Sequence, residues 1–458
     1  MMKAINKVLA TTLTAGLLAT TFPVTHTGNT VQAATKVCKS NKKTPKNVIF
    51  MIGDGMGPSY IAAHRYMRDN KATKQLDRIS FDDYLLGAQT TIADDEHQNI
   101  TDSASAATAM SAGVKTYNSA IAVDVNKHEV KTVLEQAKSK YKSTGLVATS
   151  EVTHATPAAY GAHDESRKNM AAIADDYYDE MINKQHKVDV ILGGGKDYFE
   201  RKDRNLIKAF EKDGYKYVTN KNELLKATAD TKAKQLLGLF SPGGMPKMID
   251  RDDNMPSLQQ MTNTAIKKLS TNKHGFFLMV EGSQIDWAGH ANDITGAMSE
   301  MQDFDLAFQE AINFAKTDCN TLVIATADHS TGGLSMGQGG EYNFFVDPIK
   351  KMKHTPEYLR AQLMKDGADV DAIIKENIGF ELTEDEIKNI KDAVAAKDAV
   401  KIEDAIEKPV NKRSFTGWTT GGHTGEDVYI YGYGPGSEQW RGSMDNTDNA
   451  KRIFKFFK

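Results

Sequence analysis

The sequence predicts an α/β fold, a large central, mostly parallel sheet flanked by helices on both faces, with a helical insertion late in the chain. Three observations carry this. Five short runs are largely apolar without alternation, as suits strands buried on both faces. Segments with apolar residues at helical spacing lie between them, the alternation of a parallel sheet covered by helices. One long Lys/Glu/Asp-rich stretch, with Ala and Ile at helical spacing, then breaks the rhythm.

The expected strands are Asn47–Ile52 (NVIFMI), Thr144–Thr149 (TGLVAT), Val188–Leu192 (VDVIL), Phe276–Val280 (FFLMV) and Thr321–Ala325 (TLVIA). The expected helices are Val130–Tyr141, Asp164–Asn183, Met255–Leu269 and Ile294–Ala315. The charged stretch, about Glu341 to Phe415, reads as a helical excursion from the main domain. The chain has 458 residues, enough for one large α/β domain or two smaller ones.

Net charge is −3, with Lys and Arg scattered among Asp and Glu, so no basic face points to nucleic acid. Lys3 and Lys7 precede an apolar stretch, Val8 to Phe22, and Val31-Gln32-Ala33 carries small residues where a signal peptidase reads. Residues 1–33 are therefore expected to be a secretory signal peptide and residues 34–458 the mature chain. The stretch is too short and Thr-rich to span a bilayer, and no later one qualifies. Cys38 and Cys319, the two cysteines, could pair outside the cytoplasm or stay free. The basic patch Lys36–Lys46 reads as a flexible mature N-terminus.

Polar motifs follow the strands, where open α/β sheets bind ligands. NVIFMI leads to Gly53-Asp54-Gly55, and LVATSEV to Thr153-His154-Ala155-Thr156. FFLMV leads to Glu281 and Asp286, and TLVIATA to Asp328-His329. Asp286 and His290 are four apart and share a face of a helical turn. His423 stands among glycines in Gly421-Gly422-His423-Thr424-Gly425, and the helical insertion precedes this last metal-ligand motif. Carboxylates and imidazoles without thiolate suit catalytic zinc, with magnesium where oxygens dominate.

Ser103, in Thr101-Asp102-Ser103-Ala104-Ser105, precedes a helix of very small residues. It could cap that helix, or serve as a nucleophile favoured by the helix dipole and a bound cation. Arg167 offers a planar fork that can grip two phosphate oxygens. His26, His97, His163 and His274 read as structural or exposed. Asp94, Asp95 and Glu96 read as a solvated loop.

The segments FMIGDGMG, TDSASAATAMSAGVKTYNSAI, THATPAAYGAHDESRKN, EGSQIDWAGHAND, TADHSTGG and TGGHTGED occur in the order found in the alkaline phosphatases, which the chain resembles over nearly all of its mature length. The resemblance implies a secreted phosphomonoester hydrolase of broad specificity, active at alkaline pH through a phosphoserine. It implies two zinc ions, one held by Asp286, His290 and His423 and the other by Asp54, Asp328 and His329. It also implies one magnesium, with Asp54, Thr156 and Glu281 as ligands. Ser103 matches the nucleophile and Arg167 the phosphate-gripping arginine. Asp102, His154 and Trp287 match positions that modulate the site from behind its ligands. The best-studied bacterial branch has Asp at the His154 position and Lys at the Trp287 position. The change to His alters the third metal site, and loss of the Lys weakens phosphate binding. The family is commonly dimeric, so a homodimer is implied. The alternatives are a phosphodiesterase or sulfatase of the same superfamily, or a secreted phosphate- or metal-binding protein without turnover. Ser103 lacks the C/S-x-P-x-R setting of sulfatases.

Overall fold

The computed structural model describes residues 44–458. Ten strands form its main sheet. Numbered along the chain they are β1 (Asn47–Gly53), β2 (Leu85–Thr90), β3 (Ser143–Glu151), β4 (Val190–Gly194), β5 (Lys216–Val218), β6 (Leu236–Leu239), β7 (Phe276–Gly282), β8 (Thr321–Thr326), β9 (Val428–Tyr433) and β10 (Gly442–Asp445). Their order across the sheet is β10-β2-β9-β8-β1-β7-β3-β4-β6-β5. Only β9 runs against the rest.

The five apolar runs became β1, β3, β4, β7 and β8. Successive residues of β1 enter opposite cores. Ile49 and Met51 pack with the helices Leu258–Leu269 and Ile294–Asp318 on one face. Val48, Phe50 and Ile52 pack with Ser103–Ala112, Val133–Ser139 and Ala155–Gly161 on the other. A strand sandwiched this way must be apolar at every position, which is why these runs do not alternate.

Two helices begin later than the periodicity suggests, at Val133 and Leu258, because Thr132 and Ser257 close capping boxes with Glu135 and Gln260. The expected helix Asp164–Asn183 shrinks to Met170–Asp179. Asp164 instead exchanges backbone bonds with Ile121, and its side chain accepts the Ser166 N–H at 2.8 Å. That local bond competes with helix and leaves Arg167 on a turn. The helical excursion is present as Asp347–Lys350, Pro356–Leu363, Val370–Asn377, Glu384–Ala395 and Ala399–Ser414. Lys247 to Glu357 tethers it to the main body. The signal peptide, most of the Lys36–Lys46 patch and Cys38 lie outside the described residues, and so does the question of a Cys38–Cys319 bond. No helix among the described residues is long and apolar enough to cross a membrane.

Candidate active site

The site lies at the carboxyl ends of four neighbouring strands, β8, β1, β7 and β3. Register sets its level. Ile52 of β1 pairs with Glu281 of β7 and Thr326 of β8, and Ala148 of β3 also pairs with Glu281. Each strand then delivers its next polar residues into one depression.

Asp286, His290 and His423 form the first of three ligand trios. The helix Gln284–His290 places Asp286 and His290 one turn apart, and His290 Nε2 lies 3.3 Å from Asp286 Oδ2. His423 arrives on a ribbon, His423–Thr424, paired with Ser330–Thr331. Backbone carbonyls take both Nδ1 protons, Gly421 from His290 at 2.7 Å and Thr101 from His423 at 2.8 Å. The two Nε2 atoms stand 3.1 Å apart. A proton on His290 Nε2 can bridge them, and a cation taking its place would receive both lone pairs. For His290, burial favours the neutral ring. Its bond to Asp286 and that residue's charge outweigh burial and raise it to about 8.

Asp54, Asp328 and His329 form the second trio, all fully buried. Both oxygens of Asp54 and Oδ2 of Asp328 have no hydrogen-bond partner among the described residues. His329 Nε2 lies 3.4 Å from Asp54, 3.3 Å from Asp328 and 3.2 Å from Ser103 Oγ. Burial and the neighbouring carboxylates push Asp54 well up, and Asp328 rises to about 6 chiefly through burial. Burial depresses His329 to about 4.

Asp54, His154 and Glu281 form the third. Glu281 Oε1, Thr156 Oγ1 and His154 Nδ1 are buried without partners among the described residues. Burial raises Glu281 to about 7. His154, expected behind the ligands, has a ring nitrogen within 4.8 Å of oxygens of both acids. Unpartnered carboxylates crowded in a dry site cost several kcal/mol unless neutralised, so the donor sets fit divalent cations.

Ser103 does not cap its helix. Asp102 does, accepting the Ser105 N–H at 2.9 Å. That frees the Ser103 hydroxyl, 1% exposed, to point at His329 between the trios. The second oxygen of Asp102 accepts from Ser119 N at 3.0 Å and Arg167 Nη1 at 2.9 Å. Burial alone would raise Asp102, but the Arg167 charge and the donated N–H bonds hold it below its usual value. Arg167 Nη2 reaches His154 Nε2 at 3.0 Å. One carboxylate thus fixes both the serine's helix and the arginine's fork. Trp287 meets His154 edge-on, with ring centroids 5.6 Å apart, and its indole fills the space a Cβ on Gly244 would need.

Sequence reasoning missed Thr331. Its hydroxyl donates to Asp286 and accepts from His329 Nδ1 at 3.3 Å, joining two trios and fixing the His329 tautomer. The only signal was its place two residues beyond His329. Asn118 was also missed. Its side-chain oxygen accepts from Asp102 N and Ser105 Oγ, each at 2.8 Å. Asp95, read as solvated, accepts the Asn118 N–H at 3.0 Å. A fourth cluster, Glu135, His163 and Glu180, is filled by Lys187, which pairs with both acids.

Gly55 shows how tightly the trios are packed. Its φ is +70°, and a Cβ there would lie 2.6 Å from Thr331 Oγ1 and 2.9 Å from Asp286 Cα. Gly55→Ala is expected to lower stability by at least about 2 kcal/mol, from left-handed strain plus overlap. The Asp286–Thr331 contact would separate. Thermal unfolding and metal titration of the variant would show both effects together.

Comparison with known proteins identifies the family. A family model described as alkaline phosphatase matches residues 45–458. Alkaline phosphatase 3 of Bacillus subtilis (strain 168) is 61% identical, over 91% of this chain and 90% of its own. Alkaline phosphatase 4 of the same organism is 52% identical, over 97% and 95%. The crystal structure of a cold-active alkaline phosphatase from a psychrophilic Shewanella superposes with a TM-score of 0.82 at 39% identity, over 90% of this chain and all of that one. The enzyme from the Antarctic bacterium TAB5 is 31% identical with a TM-score of 0.67, over 91% and 98%. A histidine-to-aspartate variant of it was solved with magnesium bound in its M3 site. This chain belongs to the alkaline phosphatase family and is a metal-dependent phosphomonoesterase.

Proposed function

We propose that the enzyme is exported by residues 1–33, that residues 34–458 form the catalytic domain, and that it hydrolyses phosphate monoesters through a phosphoserine on Ser103. The observation that carries this reading is the buried Ser103 hydroxyl, freed from capping and set among the trios beside Arg167. Zinc is assigned to the first two trios, Asp286, His290 and His423 and Asp54, Asp328 and His329. Magnesium is assigned to Asp54, Glu281 and Thr156, with His154 completing that site. Bound there, the three cations supply positive charge for the phosphoryl oxygens and favour deprotonated oxygen nucleophiles.

The chain's own residues do the rest. Ser103 Oγ attacks phosphorus in line, its P–O bond forms, and the bond to the alcohol breaks. Water then attacks the phosphoserine on the opposite face, releasing phosphate and returning the serine oxygen. Arg167 Nη1 and Nη2 each spend one N–H on Asp102 or His154 and keep a second for a non-bridging oxygen. That grip requires free phosphoryl oxygens and selects monoesters over diesters. Because the gathered groups address the phosphate, broad specificity follows, and the family resemblance supports a homodimer.

The test compares p-nitrophenyl phosphate with bis(p-nitrophenyl) phosphate in the zinc- and magnesium-loaded enzyme. The monoester should be the better substrate by orders of magnitude. Arg167→Ala should raise the inhibition constant of inorganic phosphate roughly 10- to 100-fold, the worth of a charge-assisted pair. A faster diester reaction, or unchanged phosphate affinity in the variant, would contradict the reading.

A further inference from the structure

The end of the sheet opposite the active site carries a different chemistry. At the amino ends of the parallel strands, the chain enters through loops rich in lysine. Lys46 precedes β1, Lys140 and Lys142 precede β3, Lys184 and Lys187 precede β4, Lys232 and Lys234 precede β6, and Lys273 precedes β7. A groove of about 870 Å³ opens among these loops. Lys184, Lys234, Lys268 and Lys273 line it, together with amide and hydroxyl groups of Gln185, Gln235, Asn272, Thr271 and Ser143.

The acids of this groove are already taken. Asp189 pairs with Lys138 at 2.7 Å, and Asp213 accepts from His186 at 3.0 Å and Tyr178 at 2.9 Å. Lys268 spends its ammonium on the Asp230 carbonyl oxygen. Lys184, Lys234 and Lys273 are exposed and form no ion pair among the described residues. The whole chain has a net charge of −3, so this concentration of lysine is local.

From this groove we infer a binding site for a linear polyanion with regularly spaced phosphodiester groups, separate from the active site. Several free ammonium groups on the rim of one groove suit successive charges along a polymer. The amides and hydroxyls between them can donate to non-bridging phosphate oxygens. The length of the strands separates the groove from the catalytic depression, so a bound polymer would leave the site mouth facing solution. The enzyme would thereby be held on a phosphate-rich surface polymer while working on small esters around it.

The test immobilises poly(glycerol phosphate) and measures binding of the metal-loaded enzyme at low and moderate salt. Binding should weaken as salt rises. The triple variant Lys184→Glu, Lys234→Glu, Lys273→Glu should bind about tenfold or more weakly, since reversing charge turns attraction into repulsion. Its turnover of p-nitrophenyl phosphate should equal that of the parent. A control with the same charge change on the helical excursion, Lys350→Glu, Lys353→Glu, Lys375→Glu, should bind like the parent. Equal loss in both variants would reduce the effect to net charge and overturn the site. So would undiminished binding by the groove variant, or equally tight binding of polyglutamate at matched charge density. Inhibition of turnover by saturating polymer would place the contact at the catalytic mouth and likewise overturn it.

Discussion

Ser103→Ala lowers kcat on p-nitrophenyl phosphate at least about a thousandfold, equivalent to some 4 kcal/mol of transition-state stabilisation. The size follows from placement. The helix Ser103–Ala112 starts at this residue, so its positive end faces the hydroxyl. Asp102 takes over the cap, and the helix survives the substitution intact. Removing one buried oxygen therefore deletes the nucleophile with little structural loss, and the variant should unfold within a few degrees of the parent. Residual turnover would come from water attacking directly with Arg167 still gripping the phosphoryl group. A rate within tenfold of the parent would leave Ser103 as a bystander.

Removing the metals abolishes turnover and also exposes the electrostatic cost of building the site. Stripped of cations, the buried carboxylates hold protons that the unfolded chain would release. Asp328 titrates at about 6 and Glu281 at about 7, both above the ordinary carboxylate range, chiefly because burial disfavours charge. For groups raised by folding, the folded state binds more protons, so stability falls as pH rises. The fall begins at the unfolded value near 4 and is complete once pH passes the folded values. The chelated enzyme should thus be close to the loaded one at pH 5 and far less stable at pH 8.5. Each pKa unit costs about 1.4 kcal/mol, so the gap should reach several kcal/mol. Calorimetry of loaded and chelated enzyme at the two pH values measures it. A gap that stays constant or narrows toward alkaline pH would show that the carboxylates are not what the cations neutralise.

The sheet's centre was readable in the sequence because burial on both faces leaves one solution, an unbroken apolar run. β1, β4, β7 and β8 are apolar along their buried middle, and β3 carries Leu146, Val147 and Ala148 between polar ends. The outer strands were not readable. Leu85–Thr90 has one fully buried residue, Gln89, which spends its side chain on the Ala327 carbonyl, and Val428–Tyr433 mixes three tyrosines, of which Tyr429 is exposed, with a glycine. Neither has the apolar continuity of a central strand. Gly87 owes its place to the neighbouring strand, since a Cβ there would lie 2.0 Å from the Gly442 carbonyl oxygen. No local signal announces such a contact.

The same division runs through the site. Charged residues at strand ends announce themselves, and the structure brings Asp54, Glu281, Asp286, Asp328 and His329 together where the strands end. The neutral groups that orient them do not. Thr331 matters only because an antiparallel ribbon turns it toward Asp286 and His329 at once. Asn118 matters because a loop at φ +79° for Ser119 folds it back onto Asp102. The orientation of His154 was not readable, because nothing in the sequence says which ring nitrogen Arg167 occupies. With Nε2 taken by the arginine, the buried Nδ1 has no partner among the described residues.

The most direct test of the phosphoserine is to trap it. Metal-loaded enzyme mixed with a phosphate monoester and quenched in acid within milliseconds should yield a peptide carrying one phosphoryl group on Ser103. The label should disappear when substrate is exhausted and be absent from Ser103→Ala. Full turnover with no labelled peptide at any quench time, or a label on another residue, would contradict the account.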